Sequence, residues 1–203
     1  VEGNVYTFGS NEYGQLGVGK DKEVLPFTHE PQKVDIPPCK QISCGYDFTV
    51  CLSEKGELYS FGYNECGQLG IGSAIDCNFP QKIELLEDID FVECGEAFVI
   101  CKIKNNDVYA WGRNCFGELG TGNSENQSLP VKSSEFPDNI VDIKCGVYHL
   151  LVLTSSKEVY TCGWNLFGQC GREDSNSVVE KITNFSDIIR IECGYDHSMF
   201  IDS

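Results

Sequence analysis

The sequence predicts an all-β protein built as a β-propeller, in which small antiparallel sheets are arranged as blades around an axis. Three observations predict this fold. Two different sequence blocks each occur four times in step, each repeat contains several short β-type segments, and no stretch shows helical periodicity. Four short strands per repeat correspond to one propeller blade.

The two blocks define the repeat and its length. The first reads VYTFGSNEYGQLGVG from Val5, LYSFGYNECGQLGIG from Leu58, VYAWGRNCFGELGTG from Val108 and VYTCGWNLFGQCGRE from Val159. The second reads CGYDFTVCL from Cys44, CGEAFVICK from Cys94, CGVYHLLVL from Cys145 and CGYDHSMFI from Cys193. The period is about 51 residues, so one domain over 1–203 divides into repeats at about 1–53, 54–103, 104–154 and 155–203.

Short runs of Val, Ile, Leu and aromatic residues, bounded by Gly, Asn, Ser or Asp, predict the strands. Clear examples are 108–111, Ile140–Cys145 and 149–153. A fourth, weaker strand is expected after a proline, which is tolerated where a strand begins because it lacks only one ladder donor. These prolines are Pro31, Pro80 and Pro130.

On this pattern the chain starts with the last two strands of one blade and ends with the first two strands of another. Three whole blades and two halves result. Unpaired strand edges bind other strands readily. We therefore expect further repeats in a longer chain, closure of the two halves into one small ring, or self-association of two chains through the open edges.

Charge and composition restrict the partners. The net charge is −16, from 31 acidic and 15 basic residues, and only Arg113, Arg172 and Arg190 are arginines. Nucleic-acid backbones are bound by clustered Lys and Arg, so direct nucleic-acid binding is not expected. A protein partner with a basic surface is favoured instead. No apolar run is long enough to cross a membrane, and no targeting segment is visible.

The twelve cysteines follow the repeat and show no C-x-x-C pair, so neither a metal site nor a disulfide framework is predicted. Free cysteines pack as small apolar residues in a reducing compartment, which favours an intracellular protein, cytoplasmic or nuclear. The loop GELGTG at Gly117 lacks the G-K-[ST] ending of a phosphate-binding loop. No catalytic triad, carboxylate dyad or cofactor motif is present, so no enzyme activity and no cofactor are expected.

The motifs G-x-N-x-x-G-Q-L-G and [AC]-G-x-x-H-[ST] resemble the repeat of the regulator of chromosome condensation (RCC1) family. WD40 blades are shorter and carry G-H and W-D dipeptides, and Kelch blades carry Gly-Gly, none of which occurs here. The resemblance implies blades of a seven-bladed ring. The family histidine is present as His149 and His197, for which we expect a packing and hydrogen-bonding role, and is replaced by Phe48 and Phe98.

The resemblance also implies two functions. The first is a non-catalytic, regulatory protein-binding module. The alternative is a guanine nucleotide exchange factor for a Ran-like small GTPase, which would act by binding the nucleotide-free state and not through a chemical nucleophile. In family members with exchange activity, loops beside the G-x-x-H turn face the GTPase. Here those loops carry Tyr46, Asp47, Glu96, Tyr148, His149, Tyr195 and Asp196.

An acidic segment supplies a second candidate surface. Residues 84–96 contain six carboxylates and no Lys or Arg, and the alternation at 88–93 predicts a strand with one solvated side. We expect Glu87, Asp88 and Asp90 to take part in binding a basic partner. The alternative is an ordinary solvated surface, which most charge runs are.

Overall fold

The chain folds into antiparallel β-sheets that follow the repeat. The computed structural model describes residues 2–19, 25–174 and 176–203. The N-terminal half-blade contains β1 (Tyr6–Ser10) and β2 (Phe27–Lys33). Blade 1 contains β3 (Cys39–Cys44), β4 (Phe48–Ser53), β5 (Leu58–Gly62) and β6 (Cys77–Lys82).

The remaining strands repeat this order. Blade 2 contains β7 (Ile89–Cys94), β8 (Phe98–Ile103), β9 (Val108–Gly112) and β10 (Gln127–Ser133). Blade 3 contains β11 (Ile140–Cys145), β12 (His149–Thr154), β13 (Val159–Gly163) and β14 (Asn176–Lys181). The C-terminal half-blade contains β15 (Ile188–Cys193) and β16 (Ser198–Asp202).

This architecture confirms the predicted all-β propeller class. The strand predicted at 140–145 has the bounds observed for β11, and those predicted at 108–111 and 149–153 each extend by one residue. No helix in the described ranges is long and apolar enough to span a membrane.

The expected position of the prolines was wrong. Pro31, Pro80 and Pro130 lie inside β2, β6 and β10 and do not precede them. The pairing register shifts across each proline, for example between Gln127 and Val131. These strands are the outer edges of their sheets. Proline is tolerated there because an edge strand and a local irregularity both leave the missing N–H without a required partner.

The hydrophobic core lies between neighbouring blades. Phe48, Val50 and Leu52 of blade 1 pack in one cluster with Val92 and Trp111 of blade 2. The next cluster joins blades 2 and 3, and smaller clusters attach the two half-blades. Strands β4 and β12 are buried along their whole length. Each large apolar side chain removed from water in this way stabilises the fold by roughly 1.5–3 kcal/mol, so the interfaces between blades hold the arc together.

The first strands of successive blades lie side by side near the axis. Gln41 of β3 donates from Nε2 to Val92 O of β7 at 2.7 Å, and Val92 N donates back to Gln41 Oε1 at 3.2 Å. Farther along the arc, Cys193 Sγ donates to Lys144 O at 3.3 Å. Side chains therefore join inner strands that the sheets themselves do not pair.

The two half-blades form separate sheets and do not pair with each other. Their faces carry exposed apolar side chains at positions that are buried elsewhere in the arc. Met199 and Ile201 of β16 are more than half exposed, whereas their counterparts in blade 1, Val50 and Leu52, are fully buried. Exposed edges of this kind pair with other strands, and self-association through them stays a prediction.

Candidate partner-binding face

The antiparallel order of each blade places its loops on two opposite faces. One face carries the turns between the first and second strands and the long loops between the third and fourth strands; we call it the loop face. The other carries the hairpins between the second and third strands and the connections between blades; we call it the hairpin face. Contacts between neighbouring loops confirm the shared face, since Gln15 Nε2 donates to Asp47 Oδ1 at 3.0 Å.

The turn between the first two strands explains the G-x-x-H motif. In each turn the ring of the fourth motif residue lies against the glycine. A Cβ added to Gly45, Gly95 or Gly146 would stand 1.8, 2.0 and 2.2 Å from the ring of Phe48, Phe98 or His149. The glycine is needed because no side chain fits beneath the ring. Either Phe or His can supply that ring.

His149 is therefore an interior residue. It is fully buried, and its Nε2 lies 3.0 Å from Ser198 Oγ. The Ser198 hydroxyl donates to Gln169 O at 2.7 Å, so it accepts from His149 Nε2–H and leaves Nδ1 unprotonated. Burial lowers the pKa of His149 to about 4. The side chain of His149 packs and hydrogen-bonds as expected and does not reach the surface where a partner would bind, whereas His197, for which the same role was expected, is exposed.

The other loop residues predicted from the resemblance do lie on the loop face. Tyr46 and Tyr195 are strongly exposed, and Asp47, Glu96 and Asp196 are partly exposed. Burial raises the pKa of Asp47, although its hydrogen bond from Gln15 acts in the opposite direction. The loop face thus combines accessible tyrosines with carboxylates.

A buried ion-pair network joins blades 2 and 3 on this face, and sequence reasoning missed it. Arg113 Nη1 contacts Glu96 Oε2 at 2.5 Å, and its Nε donates to Glu118 Oε1 at 3.0 Å. The guanidinium also donates to Val147 O at 3.1 Å and stacks over the Tyr148 ring at 4.0 Å. Glu118 is fully buried. One cation thus faces two carboxylates, and its other contacts hold the group in one geometry.

The signal for this network was present in the repeat. Glu118 occupies the position that holds Gln15, Gln68 and Gln169 in the other repeats. Arg113 stands where those repeats have Ser10, Tyr63 and Trp164. Both changes fall in the third repeat, five residues apart. In the third repeat this motif carries one positive and one negative residue and no other charge, a pattern that indicates an ion pair between them.

Aromatic residues cluster beside Arg113. Phe116 lies 5.2 Å from Tyr148 and 5.6 Å from Trp164, measured between ring centroids. Tyr148 and Trp164 are 5.5 Å apart, and Trp164 and Phe167 are 5.2 Å apart. Of these residues only Tyr148 was predicted. The others were missed because contacts between loops of different blades leave no spacing rule in the sequence.

The acidic segment 84–96 is divided between the two faces. Asp88 pairs with Lys104 at 2.8 Å and Asp90 with Lys102 at 2.7 Å, both at the hairpin end of blade 2. Glu87 is exposed near the same end, and Glu96 lies on the loop face. The structure does not bring Glu87, Asp88 and Asp90 together with the loop residues. Residues 84–96 contain no Lys or Arg, but Lys102 of the next strand and Lys104 of the following turn lie close to the segment in the structure.

The hairpin face repeats one ion pair on each complete blade. The residue before the third strand contacts a lysine of the fourth strand in every case. The pairs are Glu57–Lys82 at 2.8 Å, Asp107–Lys132 at 2.8 Å and Glu158–Lys181 at 2.5 Å. On the loop face, by contrast, Glu12, Asp47, Glu65 and Asp196 have no Lys or Arg nitrogen within 4.0 Å among the described residues. Among the described residues, these four loop-face carboxylates therefore lack the cation that one carboxylate of each complete blade has on the hairpin face.

Comparison with known proteins decides the family. A model of the RCC1-like domain matches residues 1–203. The chain belongs to the RCC1-like domain family. The human X-linked retinitis pigmentosa GTPase regulator is 41% identical over 212 residues, covering 98% of this chain and 20% of the relative. The secretion-regulating guanine nucleotide exchange factor of Bos taurus is 42% identical over 96 residues, covering 43% of this chain and 19% of the relative.

A solved RCC1-like structure shows the same arrangement of blades. Prp20p of Saccharomyces cerevisiae, whose crystal structure was described together with its binding properties to Gsp1p and histones, superposes with a TM-score of 0.81. It is 25% identical, with 98% of this chain and 52% of Prp20p covered. The chain thus spans about half of Prp20p and about a fifth of the two curated relatives.

This RCC1-like arc shows no built site for a metal ion. In residues 2–19, 25–174 and 176–203, no three His, Cys, Asp or Glu side chains are grouped to hold one. All twelve cysteines are unpaired, and burial raises the pKa of the inward-facing thiols such as Cys94 and Cys193.

Proposed function

We propose that this RCC1-like domain is a regulatory protein-interaction module that binds a basic partner through its loop face. One observation carries the proposal: Glu12, Asp47, Glu65 and Asp196 of the loop face have no Lys or Arg partner among the described residues and share that face with exposed aromatic side chains, whereas the carboxylate before the third strand of each complete blade on the hairpin face is paired with a lysine. Unpaired charge speeds encounter with an oppositely charged partner, and aromatic residues supply most of the binding energy in many interfaces.

Charge reversal on each face tests this proposal. The loop-face variant is Glu12→Lys with Glu65→Lys, because both side chains are exposed. The matched control is Glu87→Lys, an exposed carboxylate near the hairpin end and part of the acidic segment. Proteins retained from a cell extract are quantified for each variant at low and high ionic strength.

We expect basic proteins to be retained by the wild type and by Glu87→Lys, and to be lost from the loop-face variant. The loss should be greatest at low ionic strength, because salt screens exposed charges. If retention of basic proteins depends on Glu87 and not on Glu12 or Glu65, the acidic segment is the binding surface. That result would disprove the proposal for the loop face.

The second candidate function is guanine nucleotide exchange on a small GTPase. It is favoured by the similarity to the Bos taurus exchange factor and to Prp20p, which was described with Gsp1p binding. Such exchange needs only a surface that binds the nucleotide-free GTPase more tightly than the loaded form. Release of fluorescent GDP from a panel of purified small GTPases tests it. Acceleration by the wild type that Tyr46→Ala abolishes would establish exchange, and no acceleration across the panel would exclude it for those GTPases.

We also place the protein in a reducing, intracellular compartment. The support is that the twelve thiols are unpaired and that several are fully buried core residues. Titration of the denatured chain, purified without reductant, should find twelve free thiols.

A further inference from the structure

We propose that Cys39 and Cys51 form a reversible thiol–disulfide site whose oxidant is a small-molecule disulfide such as glutathione disulfide. The site lies on the first two strands of blade 1, away from the loop face, and it goes beyond the proposed function. Both cysteines are free thiols in the structure, which is the reduced state of the pair. In a reducing compartment the pair stays reduced until the glutathione pool becomes oxidised.

Comparison of the repeats singles out this pair. Cys51 stands where the second repeat also has a cysteine, Cys101, and where the later repeats have Val152 and Phe200. At the position of Cys39 the other three repeats have isoleucine, as Ile89, Ile140 and Ile188. Only the first repeat therefore carries cysteine at both positions, and Cys101 of the second repeat is an internal comparison that lacks this partner.

The fold places the two cysteines on neighbouring strands and on one face of the sheet. Strands β3 and β4 pair antiparallel, and Cys39 lies opposite Ser53. Cys51 is two residues from Ser53 on β4, so the two side chains share a face and Cys51 is the diagonal neighbour of Cys39. Both cysteines pack in the apolar cluster that joins the N-terminal half-blade to blade 1.

The two thiols contact each other directly. The Cys51 thiol donates a hydrogen bond to Cys39 Sγ; this bond lowers the pKa of Cys39, and the same bond together with burial raises the pKa of Cys51. A further hydrogen bond, from Cys39 Sγ to Pro37 O at 3.2 Å, fixes the Cys39 side chain. A disulfide needs the two sulfur atoms to approach to about 2 Å, and the contact between the thiols provides the starting geometry.

The two environments assign different roles to the thiols. A thiolate, and not a thiol, attacks a disulfide. Cys39 is the attacking group, because its pKa is lowered and its side chain is only partly buried. Cys51 is fully buried and retains its proton longer, so it reacts second. Reagents reach Cys39 from the side where the N-terminal half-blade has only two strands. That opening affects the rate of oxidation, whereas the contact between the thiols decides which disulfide forms.

The reaction is an exchange in two steps. The Cys39 thiolate attacks one sulfur of glutathione disulfide, forms a mixed disulfide with glutathione and expels one glutathione thiolate. Cys51 then gives its proton to the solvent, attacks Cys39 Sγ and expels the second glutathione thiolate. The two cysteines lose two electrons and two protons, and glutathione disulfide gains both and becomes two molecules of glutathione.

The experiment incubates the reduced chain with glutathione disulfide and then blocks the remaining thiols with N-ethylmaleimide in denaturant. Mass spectrometry of the tryptic peptides identifies each linkage. Cleavage after Lys33, Lys40 and Lys55 places Cys39 and Cys51 on separate peptides. The peptide map of the wild type therefore decides the pairing by itself, whether or not every variant folds.

Three variants sharpen the result. Cys39→Ile introduces the residue type of the other three repeats, and Cys51→Val introduces the residue type of the third repeat. Cys44→Ser is the matched control, because Cys44 is an exposed thiol on the same strand as Cys39.

We expect the wild type and Cys44→Ser to form one internal disulfide, between Cys39 and Cys51, and Cys39→Ile and Cys51→Val to form none. Cys51→Val should instead accumulate glutathione on Cys39, because no second thiol completes the exchange. An excess of reduced glutathione should return the oxidised wild type to twelve free thiols.

Three results would each overturn the inference: no internal disulfide in the wild type, a disulfide between other cysteines, or a disulfide that persists in Cys39→Ile. Glutathione bound to Cys51 in Cys39→Ile, with none on Cys39 in Cys51→Val, would overturn the assigned order of attack. These outcomes do not depend on the loop face, so the proposed function can fail while this inference holds, and the reverse.

Discussion

The loop face and the hairpin face of this RCC1-like arc use charge in opposite ways. On the hairpin face each complete blade repeats one carboxylate–lysine pair, and both partners remain open to water. On the loop face Arg113 is bound to two carboxylates in a largely buried network, with side-chain exposures of 14% for Arg113, 20% for Glu96 and 0% for Glu118. The remaining loop-face carboxylates are not paired with Lys or Arg in the described part of the chain.

This difference teaches that acidic composition alone does not locate a binding surface. Exposed ion pairs are screened by water and contribute little to stability, but each of the three cancels the charge of one hairpin-face carboxylate. A buried pair depends on every partner, because removal of one leaves an uncompensated charge away from water. Unpaired carboxylates beside exposed aromatic side chains are what distinguish the loop face.

The largest expected effect comes from breaking the Arg113 network. Arg113→Met leaves Glu118 and Glu96 without their cation, and we expect the free energy of unfolding to fall by about 3–5 kcal/mol. Adding Glu118→Gln, the residue type of the other three repeats, should recover part of that loss. Urea unfolding followed by fluorescence measures both changes.

Arg190→Met is the control for Arg113, because Arg190 contacts Glu192 at 3.0 Å on the exposed surface. It should leave the unfolding midpoint unchanged. Equal effects at Arg113 and Arg190 would show that burial does not distinguish the loop-face network.

The next largest effect concerns pH and His149. Burial lowers the pKa of His149 to about 4; the negative charge of Asp196 opposes that shift, and the charge of His197 supports it. The folded-state pKa of His149 lies below the unfolded value of 6.5. The free energy of unfolding therefore has its full value, as far as His149 is concerned, above pH 6.5. It decreases as pH falls from 6.5 toward 4, by up to roughly 3 kcal/mol.

His149→Phe places at this position the residue that Phe48 and Phe98 already provide in the earlier repeats. The variant should fold at neutral pH and should lose less stability than the wild type between pH 6.5 and 4. Parallel denaturant titrations across that range provide the test. Identical pH profiles, or an unfolded variant at neutral pH, would contradict the interior role of His149.

A smaller effect is expected at the glycine beneath that ring. Gly146→Ala forces a methyl group against His149, and overpacking of this kind costs about 1–3 kcal/mol. Combining it with His149→Ala removes the ring and should relieve most of the added strain, which a double-mutant cycle detects as coupling. Additive effects of the two changes would mean that the glycine is required for another reason, such as its approach to Gly194 O.

The smallest effect belongs to the hairpin face. Lys132→Ala removes the partner of Asp107, and we expect no measurable shift in the thermal midpoint because the pair is exposed. A clear destabilisation would show that the repeated pairs hold the blades together, and it would remove the contrast between the two faces.

Sequence patterns predicted the strands well because strand formation depends on residues that are close together in the sequence. Alternation and β-branched residues located β7 and β11 closely, since side chains two residues apart share a face of the sheet. The same reasoning misplaced the prolines, because a single sequence does not reveal that the fourth strand is an outer edge where Pro80 can lie within the strand. Edge position is a property of the sheet.

The candidate site was only partly predictable for a similar reason. The loops around Tyr46, Asp47 and Asp196 follow from the repeat and the family resemblance. Arg113 with Tyr148, Phe116 with Trp164, and Asp90 with Lys102 come from different strands or different blades. Such pairs have no fixed spacing, so the acidic segment was predicted as one surface although Asp88, Asp90 and Glu96 are paired with three separate cations.

The sequence by itself determined the blade: its period, its four strands, its glycine-anchored turns and the acidic balance of the chain. Only the tertiary structure decided which carboxylates are neutralised, that His149 faces inward, and that the rings of two blades meet in one exposed patch. The physical reason is the distance along the sequence over which each kind of interaction acts. Strand formation and turns depend on neighbours within a few residues, whereas charge pairing and ring contacts depend on which side chains the packing of separate blades brings within a few ångströms.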